Sequence, residues 1–173
     1  MKGAYSSTSG RSSESEKGAP LAGPLDRRNL LIQQVKDLRR TLDYLETRDD
    51  LDASKMALYG LSYGGSRAPY MLAVEDRIAA AIIMSSGISP YPLPQEIQMQ
   101  DYLARVRVPV LFITGRKDFN FPFEESQRPF FELLGTPEEQ KRHVALDWGH
   151  LPPGYAEVVR ELLAWLDRQL GKP

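Results

Sequence analysis

The sequence has 173 residues, 42% hydrophobic and 26% charged, as in an ordinary one-domain globular protein, and its net charge of −1 argues against nucleic acid or an anionic membrane as the main partner. Without cysteine there can be no disulfide, thiolate metal site or cysteine nucleophile, and two histidines are too few for a histidine-rich metal centre. No apolar run is long enough to span a membrane and no signal core is visible, so we expect a cytoplasmic protein.

The chain begins with a polar stretch and continues with a helical pattern. Residues 1–24 are rich in serine, glycine and charge, which predicts a flexible arm before a domain covering residues 25–173. From Asp26 to Thr47, apolar residues recur at steps of three and four, which predicts an amphipathic helix. Its apolar side consists of Leu31, Val35, Leu38, Leu42 and Leu45. The basic residues on the rest of this helix indicate a solvated face.

The next segment, Lys55 to Gly65, combines a short strand with a serine between glycines. Met56–Tyr59 reads as a buried strand, and Gly60-Leu61-Ser62-Tyr63-Gly64 fits the G-x-S-x-G pattern of a nucleophile elbow. Gly60 and Gly64 are expected because a side chain at either position would collide with the neighbouring strand or helix. A helix from about Tyr63 would direct its positive dipole end at Ser62. A plain turn is the alternative, because glycine and serine are common.

Beyond this turn, strands and helices alternate along the chain. We predict a helix from Ser66 to Val74 with a bend at Pro69, strands at Ala79–Met84, Val108–Thr114 and His143–Leu146, an extended loop at Ser89–Pro94, and helices at Glu124–Leu134 and Tyr155–Leu170. Such alternation predicts an α/β fold, a parallel sheet with helices on both faces. In sheets of this kind the chemistry lies at the carboxyl ends of the strands.

Three stretches make the chain resemble an α/β-hydrolase: GLSYGG at 60–65, TGRKDFNFP at 114–122 and DWGH at 147–150. They present serine, aspartate and histidine in the order that this fold uses. Over roughly residues 25–170 the chain is similar to the C-terminal part of dienelactone-hydrolase and prolyl-oligopeptidase-like esterases, including those fused to bacterial protein kinases. The resemblance implies a truncated α/β-hydrolase fold, with about four parallel strands and the N-terminal strands of the full fold missing.

The same resemblance implies a catalytic serine with two partners. Ser62 needs a base within hydrogen-bond reach, and His150 lies just past the last predicted strand. Asp118, past the preceding strand, would hold the imidazole in the correct tautomer. Asp147 and Asp101 are rivals for the acid: Asp147 is too near His150 in sequence to reach round its ring easily, and Asp101 falls in a predicted variable loop.

Two further positions complete the sequence-based prediction of the site. His143 lies within a predicted strand, which favours a structural role. In the resembled fold the backbone N–H of the residue after the nucleophile, here Tyr63, contributes to an oxyanion hole. The second donor of that fold comes from a loop that this chain lacks. The Tyr5 hydroxyl is a candidate replacement, because MKGAYSS resembles the end of a strand beside the active site; a backbone N–H of the arm and a group from a second subunit are others.

Taken together, the patterns and the resemblance predict a serine hydrolase. We expect a carboxylesterase that acts on short-chain acyl esters, with no cofactor or metal and with a small-molecule ester as its substrate. Because the strand Met56–Tyr59 would lie at a sheet edge, a homodimer is also expected. Two alternatives remain open: a non-catalytic, truncated or kinase-associated binding domain that retains the three residues, and a peptidase that cleaves small peptides.

Overall fold

The computed structural model of the chain describes residues 23–172; Tyr5 and most of the predicted arm lie outside them. The α-helices of the described residues are α1 (Pro24–Glu46), α2 (Tyr63–Leu72), α3 (Met99–Leu103), α4 (Arg128–Glu132) and α5 (Ala156–Leu170). The strands are β1 (Ala57–Leu61), β2 (Ala80–Met84), β3 (Val110–Gly115) and β4 (Lys141–Leu146). This order of elements confirms the α/β fold class.

The four strands form one parallel sheet in the order β1-β2-β3-β4. Its two middle strands, β2 and β3, are buried along their whole length, as their continuous apolar sequences predict for strands covered on both faces. The strand that leads into the serine turn, β1, lies at one end of this sheet. Because the strands are parallel, all four carboxyl ends meet at one edge of the sheet. The loops that carry Ser62, Asp118 and His150 lie at this edge.

Helices cover both faces of the sheet, as predicted. One core cluster joins α1, α2, α3 and α4 to side chains such as Ile83 and Phe112, and the other joins α5, through Val158 and Trp165, to side chains such as Ile82. Burying each such side chain contributes about 1.5–3 kcal/mol. The two clusters hold the middle strands rigidly, which fixes the positions of the loops at their carboxyl ends.

Two regions differ from the sequence-based prediction. The helix predicted at Glu124–Leu134 begins as a wide turn, Phe123–Gln127, and only then becomes α4. The wide turn lets the buried side chain of Gln127 donate to two backbone carbonyls, those of Gly115 (2.8 Å) and Phe121 (2.7 Å). The segment around Asp101, predicted as a loop, contains α3, so the expectation of a loop at that position was wrong.

The helix that follows the serine turn spans Tyr63–Leu72 and continues through Pro69. Its inner residues are buried against β1 and β2. No helix between residues 23 and 172 is both long and apolar enough to cross a membrane.

Candidate active site

Ser62 occupies the turn between β1 and α2 in a strained backbone conformation. Its φ of 51° lies in the left-handed region, which costs a non-glycine residue on the order of 1–3 kcal/mol. Its N–H donates to the carbonyl of Met84 at 2.9 Å, and its carbonyl accepts from the N–H of Ser66 at 2.9 Å. Because both bonds anchor the backbone to neighbouring elements, the turn holds Ser62 at the carboxyl edge despite the strain.

The glycines around Ser62 make this turn possible, but not in the way that the pattern predicts. A Cβ added to Gly60 would lie 2.7 Å from the carbonyl oxygen of Gly64, so the expected collision exists there. A Cβ added to Gly64 would have no atom within 4 Å, so the collision predicted at that position was wrong. The close approach occurs one residue later, where a Cβ on Gly65 would lie 2.8 Å from Cβ of Ser86 beyond β2.

The structure brings Ser62, His150 and Asp118 together in one chain of hydrogen bonds. Oγ of Ser62 lies 2.8 Å from Nε2 of His150, and Nδ1 of His150 lies 2.8 Å from Oδ2 of Asp118. An ionised carboxylate can only accept, so Nδ1 must carry the proton. In the neutral imidazole Nε2 is then the acceptor, and the Ser62 hydroxyl donates to it. This is the arrangement that a serine nucleophile and its base require.

Asp118 is positioned by the turn that follows β3. Its side chain is fully buried, and its second oxygen, Oδ1, accepts from the backbone N–H groups of Asn120 (2.8 Å) and Phe121 (3.3 Å). The carboxylate therefore has partners on both oxygens. These backbone bonds fix the rotamer of Asp118, so Oδ2 is aimed at His150 before any substrate binds.

The rival acids are placed elsewhere. Asp147 is exposed, and its carboxylate pairs with Nζ of Lys117 at 2.8 Å. Asp101 is exposed on α3. Of these three carboxylates, that of Asp118 is the one hydrogen-bonded to His150.

Gly115 and Trp148 bring the loops after β3 and β4 together, a role that was predicted for neither residue. A Cβ on Gly115 would overlap the Trp148 ring and the carbonyl oxygen of Gly149. The N–H of Lys117 also donates to the carbonyl of Trp148 at 2.8 Å. A glycine at the carboxyl end of an otherwise bulky buried strand is the signal that could have indicated this close approach.

His143 lies in β4, away from Ser62, as its predicted structural role requires. Its Nε2 is 2.7 Å from the hydroxyl of Thr114, and its ring packs against the rings of Phe112, Phe123 and Phe131. Burial, with a smaller contribution from Arg116, lowers the pKa of His143 to about 4. This histidine is therefore neutral at physiological pH.

Tyr63 is the first residue of α2, so its N–H is among the first four that have no acceptor within the helix. Its hydroxyl accepts from Nε2 of Gln34 on α1 (3.0 Å) and from Nη2 of Arg67 on α2 itself (3.2 Å). Within residues 23–172 no cluster of three or more acidic or histidine side chains could hold a metal ion.

Comparison with known proteins identifies both a family and a set of similar folds. The dienelactone hydrolase family matches residues 7–134, a range that includes Ser62 and Asp118 and ends before His150. A cold-adapted esterase from an Arctic intertidal metagenomic library has a TM-score of 0.64 and 20% identity, over 79% of this chain and 58% of the esterase. This chain therefore spans little more than half the length of that structure.

Two other esterases have similar folds. The acetyl xylan esterase from Paenibacillus sp. R4 has a TM-score of 0.65 and 19% identity, over 80% of this chain and 52% of the esterase. Est1E from Butyrivibrio proteoclasticus has a TM-score of 0.65 and 18% identity, over 82% of this chain and 72% of Est1E. At these identities the likeness establishes a common fold.

Proposed function

Because the chain belongs to the dienelactone hydrolase family, we propose that it is a serine hydrolase, a carboxylesterase that cleaves short-chain acyl esters through an acyl-enzyme on Ser62. The observation that carries the proposal is the pair of 2.8 Å contacts that link Ser62 to His150 and His150 to Asp118. The second support is the strained turn, which presents the Ser62 hydroxyl at the carboxyl edge of the sheet.

In the proposed reaction, Oγ of Ser62 attacks the ester carbonyl while Nε2 of His150 takes its proton. Asp118 stabilises the imidazolium that forms and keeps the ring oriented. The tetrahedral intermediate then collapses, and His150 gives the proton to the departing alcohol. In the second half, His150 takes a proton from water, which attacks the carbonyl of the acyl-enzyme. His150 then returns the proton to Oγ of Ser62 as the carboxylic acid leaves.

The negative charge on the tetrahedral intermediate needs hydrogen-bond donors. The N–H of Tyr63, at the positive end of α2, is the first donor in this proposal. We propose a second from Tyr5, from a backbone N–H of the arm or from a second subunit. A single such donor changes turnover by about 10²–10³-fold, so its source decides how fast the enzyme is.

The proposed acyl preference and the proposed homodimer rest on different features. Residues 85–98, which follow β2, contain only one short turn, Gln95–Ile97, and offer no helix long enough to wall a deep acyl tunnel. This supports a short acyl group. Exposed apolar side chains on α1, such as Leu30 and Ile32, support a partner copy.

Hydrolysis of p-nitrophenyl acetate tests the proposed function. Ser62→Ala and His150→Ala should each abolish turnover, to a similar extent because the two residues act as one unit. Ser54→Ala is the matched control, since Ser54 lies before β1 at the opposite edge of the sheet, and it should keep the wild-type rate. An unchanged rate in Ser62→Ala would contradict the proposal.

Absence of turnover in the wild type would favour the non-catalytic alternative, and cleavage of small peptides instead of esters would favour the peptidase.

A further inference from the structure

The loops at the carboxyl edge of the sheet share an unusual feature: each exposes a large apolar or aromatic side chain. These residues are Tyr63 after β1, Tyr91 after β2, Phe119 after β3 and Leu151 after β4. Phe119 is 82% exposed, the highest value among the large hydrophobic residues of the described chain. Phe119 directly follows Asp118 and Leu151 directly follows His150. Because Asp118 and His150 are joined by a 2.8 Å hydrogen bond, the backbones of Phe119 and Leu151 lie beside the imidazole.

Phe119 is exposed although its backbone belongs to a well-anchored turn. Asp118 precedes Phe119 and Asn120 follows it, and the Asp118 carboxylate accepts from the backbone N–H of Asn120 at 2.8 Å. The same carboxylate binds His150 through its other oxygen. The position of the Phe119 backbone is therefore tied to that of the imidazole. The next aromatic ring along the turn, Phe121, has its centroid 6.0 Å from that of His150.

We propose that Phe119 and Leu151 form the binding surface for the alcohol part of the ester, and that the substrate carries an apolar or aryl alcohol. The inference rests on the proposed function, in which Nε2 of His150 delivers the proton to the departing oxygen. The alcohol must then lie on the side of His150, between the loops that carry Phe119 and Leu151. A polar alcohol would leave the Phe119 ring in water, whereas an apolar one would cover it.

Two acetate esters isolate this effect. Ethyl acetate and 2-phenylethyl acetate form the same acetyl-enzyme and release primary alcohols of similar acidity, so they differ mainly in the bulk of the alcohol. The wild type should show a kcat/KM about tenfold higher for the phenylethyl ester. In Phe119→Ala this ratio should fall to about two, and in Phe119→Leu it should lie between. Tyr44→Ala is the matched control, because Tyr44 is an exposed aromatic residue on α1 at the opposite edge of the sheet. Its neighbour Asp43 pairs there with Arg77, which precedes β2.

A ratio that is the same in Phe119→Ala and wild type, with both esters hydrolysed, would overturn the inference while leaving the proposed function intact. If neither ester were hydrolysed, binding of the free alcohol would test the inference instead. Saturation-transfer NMR should detect 2-phenylethanol on Ser62→Ala. The double variant Ser62→Ala/Phe119→Ala should lose at least half of that signal. Equal signals from the two proteins would also overturn the inference. Matching thermal unfolding curves would show that the Phe119 variants are folded.

Discussion

At the scale of single residues, the site depends on hydrogen bonds that fix orientation before substrate binds. Asp118 is aimed by two backbone N–H groups, and His150 is aimed by Asp118. The choice of Asp118 over Asp147 followed from family resemblance and from the short sequence distance between Asp147 and His150. In the fold, a backbone turn holds Asp118 against His150, whereas Asp147 pairs with Lys117. Both features depend on folded geometry and have no motif of their own.

The two aspartates give the first prediction. Asp118→Asn should lower kcat by on the order of 10³–10⁴, because an amide favours the wrong tautomer of His150. Asp147→Asn is the matched control and should stay within about twofold of the wild type, since it removes only a surface ion pair. Steady-state hydrolysis of p-nitrophenyl acetate measures both. The reverse ranking of the two variants would assign the acid role to Asp147.

His143 gives a prediction about pH. Its pKa is about 4 in the folded protein and about 6.5 when unfolded, so the unfolded chain binds more protons between these values. The free energy of unfolding should therefore fall, by about 3 kcal/mol from this group, as pH drops from 6.5 to 4. His143→Gln removes the titrating group. Urea unfolding of both proteins across this range should show a steeper loss in the wild type; parallel curves would contradict the assignment.

At the scale of elements, short apolar segments predicted the four strands of the described sheet, and apolar periodicity predicted the long helices. It failed where tertiary contacts decide the structure. The short helix α3 is stabilised by packing of Met99 and Leu103 in the core and by the ring of Tyr70 against that of Tyr102, at 4.7 Å. A five-residue helix has too few positions for a periodic pattern. The wide turn before α4 likewise depends on a buried hydrogen bond from Gln127 to the carbonyl of Gly115, which lies outside this segment of the sequence.

The serine turn gives a matched pair of substitutions. Gly60→Ala should destabilise the protein by several kcal/mol, because its Cβ would meet the backbone of Gly64 and Gly65 at under 3 Å. Gly64→Ala has open space and lies in α2, so it should be neutral or stabilise by up to about 1 kcal/mol. Chemical denaturation measures both. Equal costs would show that the turn does not pack as described.

At the scale of the whole molecule, the described residues form a four-stranded sheet with β1 at one end, as the family resemblance predicts. The apolar residues of α1, and of the chain around the end of α2, are divided between the core and the surface. Leu31, Leu42 and Met71 are buried, whereas Leu30, Ile32, Tyr44 and Val74 are exposed. On α1 the periodic pattern separated these residues correctly, because the predicted apolar side, which includes Leu31 and Leu42, packs in the core.

The exposed apolar side chains on α1, together with Val74 just after α2, lead to our prediction of a homodimer. A two-fold partner would bury the same patch on both copies. Light scattering after size-exclusion chromatography at micromolar concentration should therefore give about twice the 19.5 kDa mass of the chain. Ile32→Glu should shift the protein to the monomer, whereas Leu163→Glu, an equally exposed position on α5, should not. A monomeric wild type would contradict the prediction.

The most direct test of the proposed function asks whether Ser62 is an activated nucleophile. A fluorophosphonate reacts covalently with such a serine, and mass spectrometry of the intact protein followed by peptide mapping locates the adduct. We expect one adduct per chain, on the peptide that contains Ser62. It should form much more slowly in His150→Ala and be absent in Ser62→Ala. An adduct at another residue, or none on the wild-type protein, would contradict the proposed function.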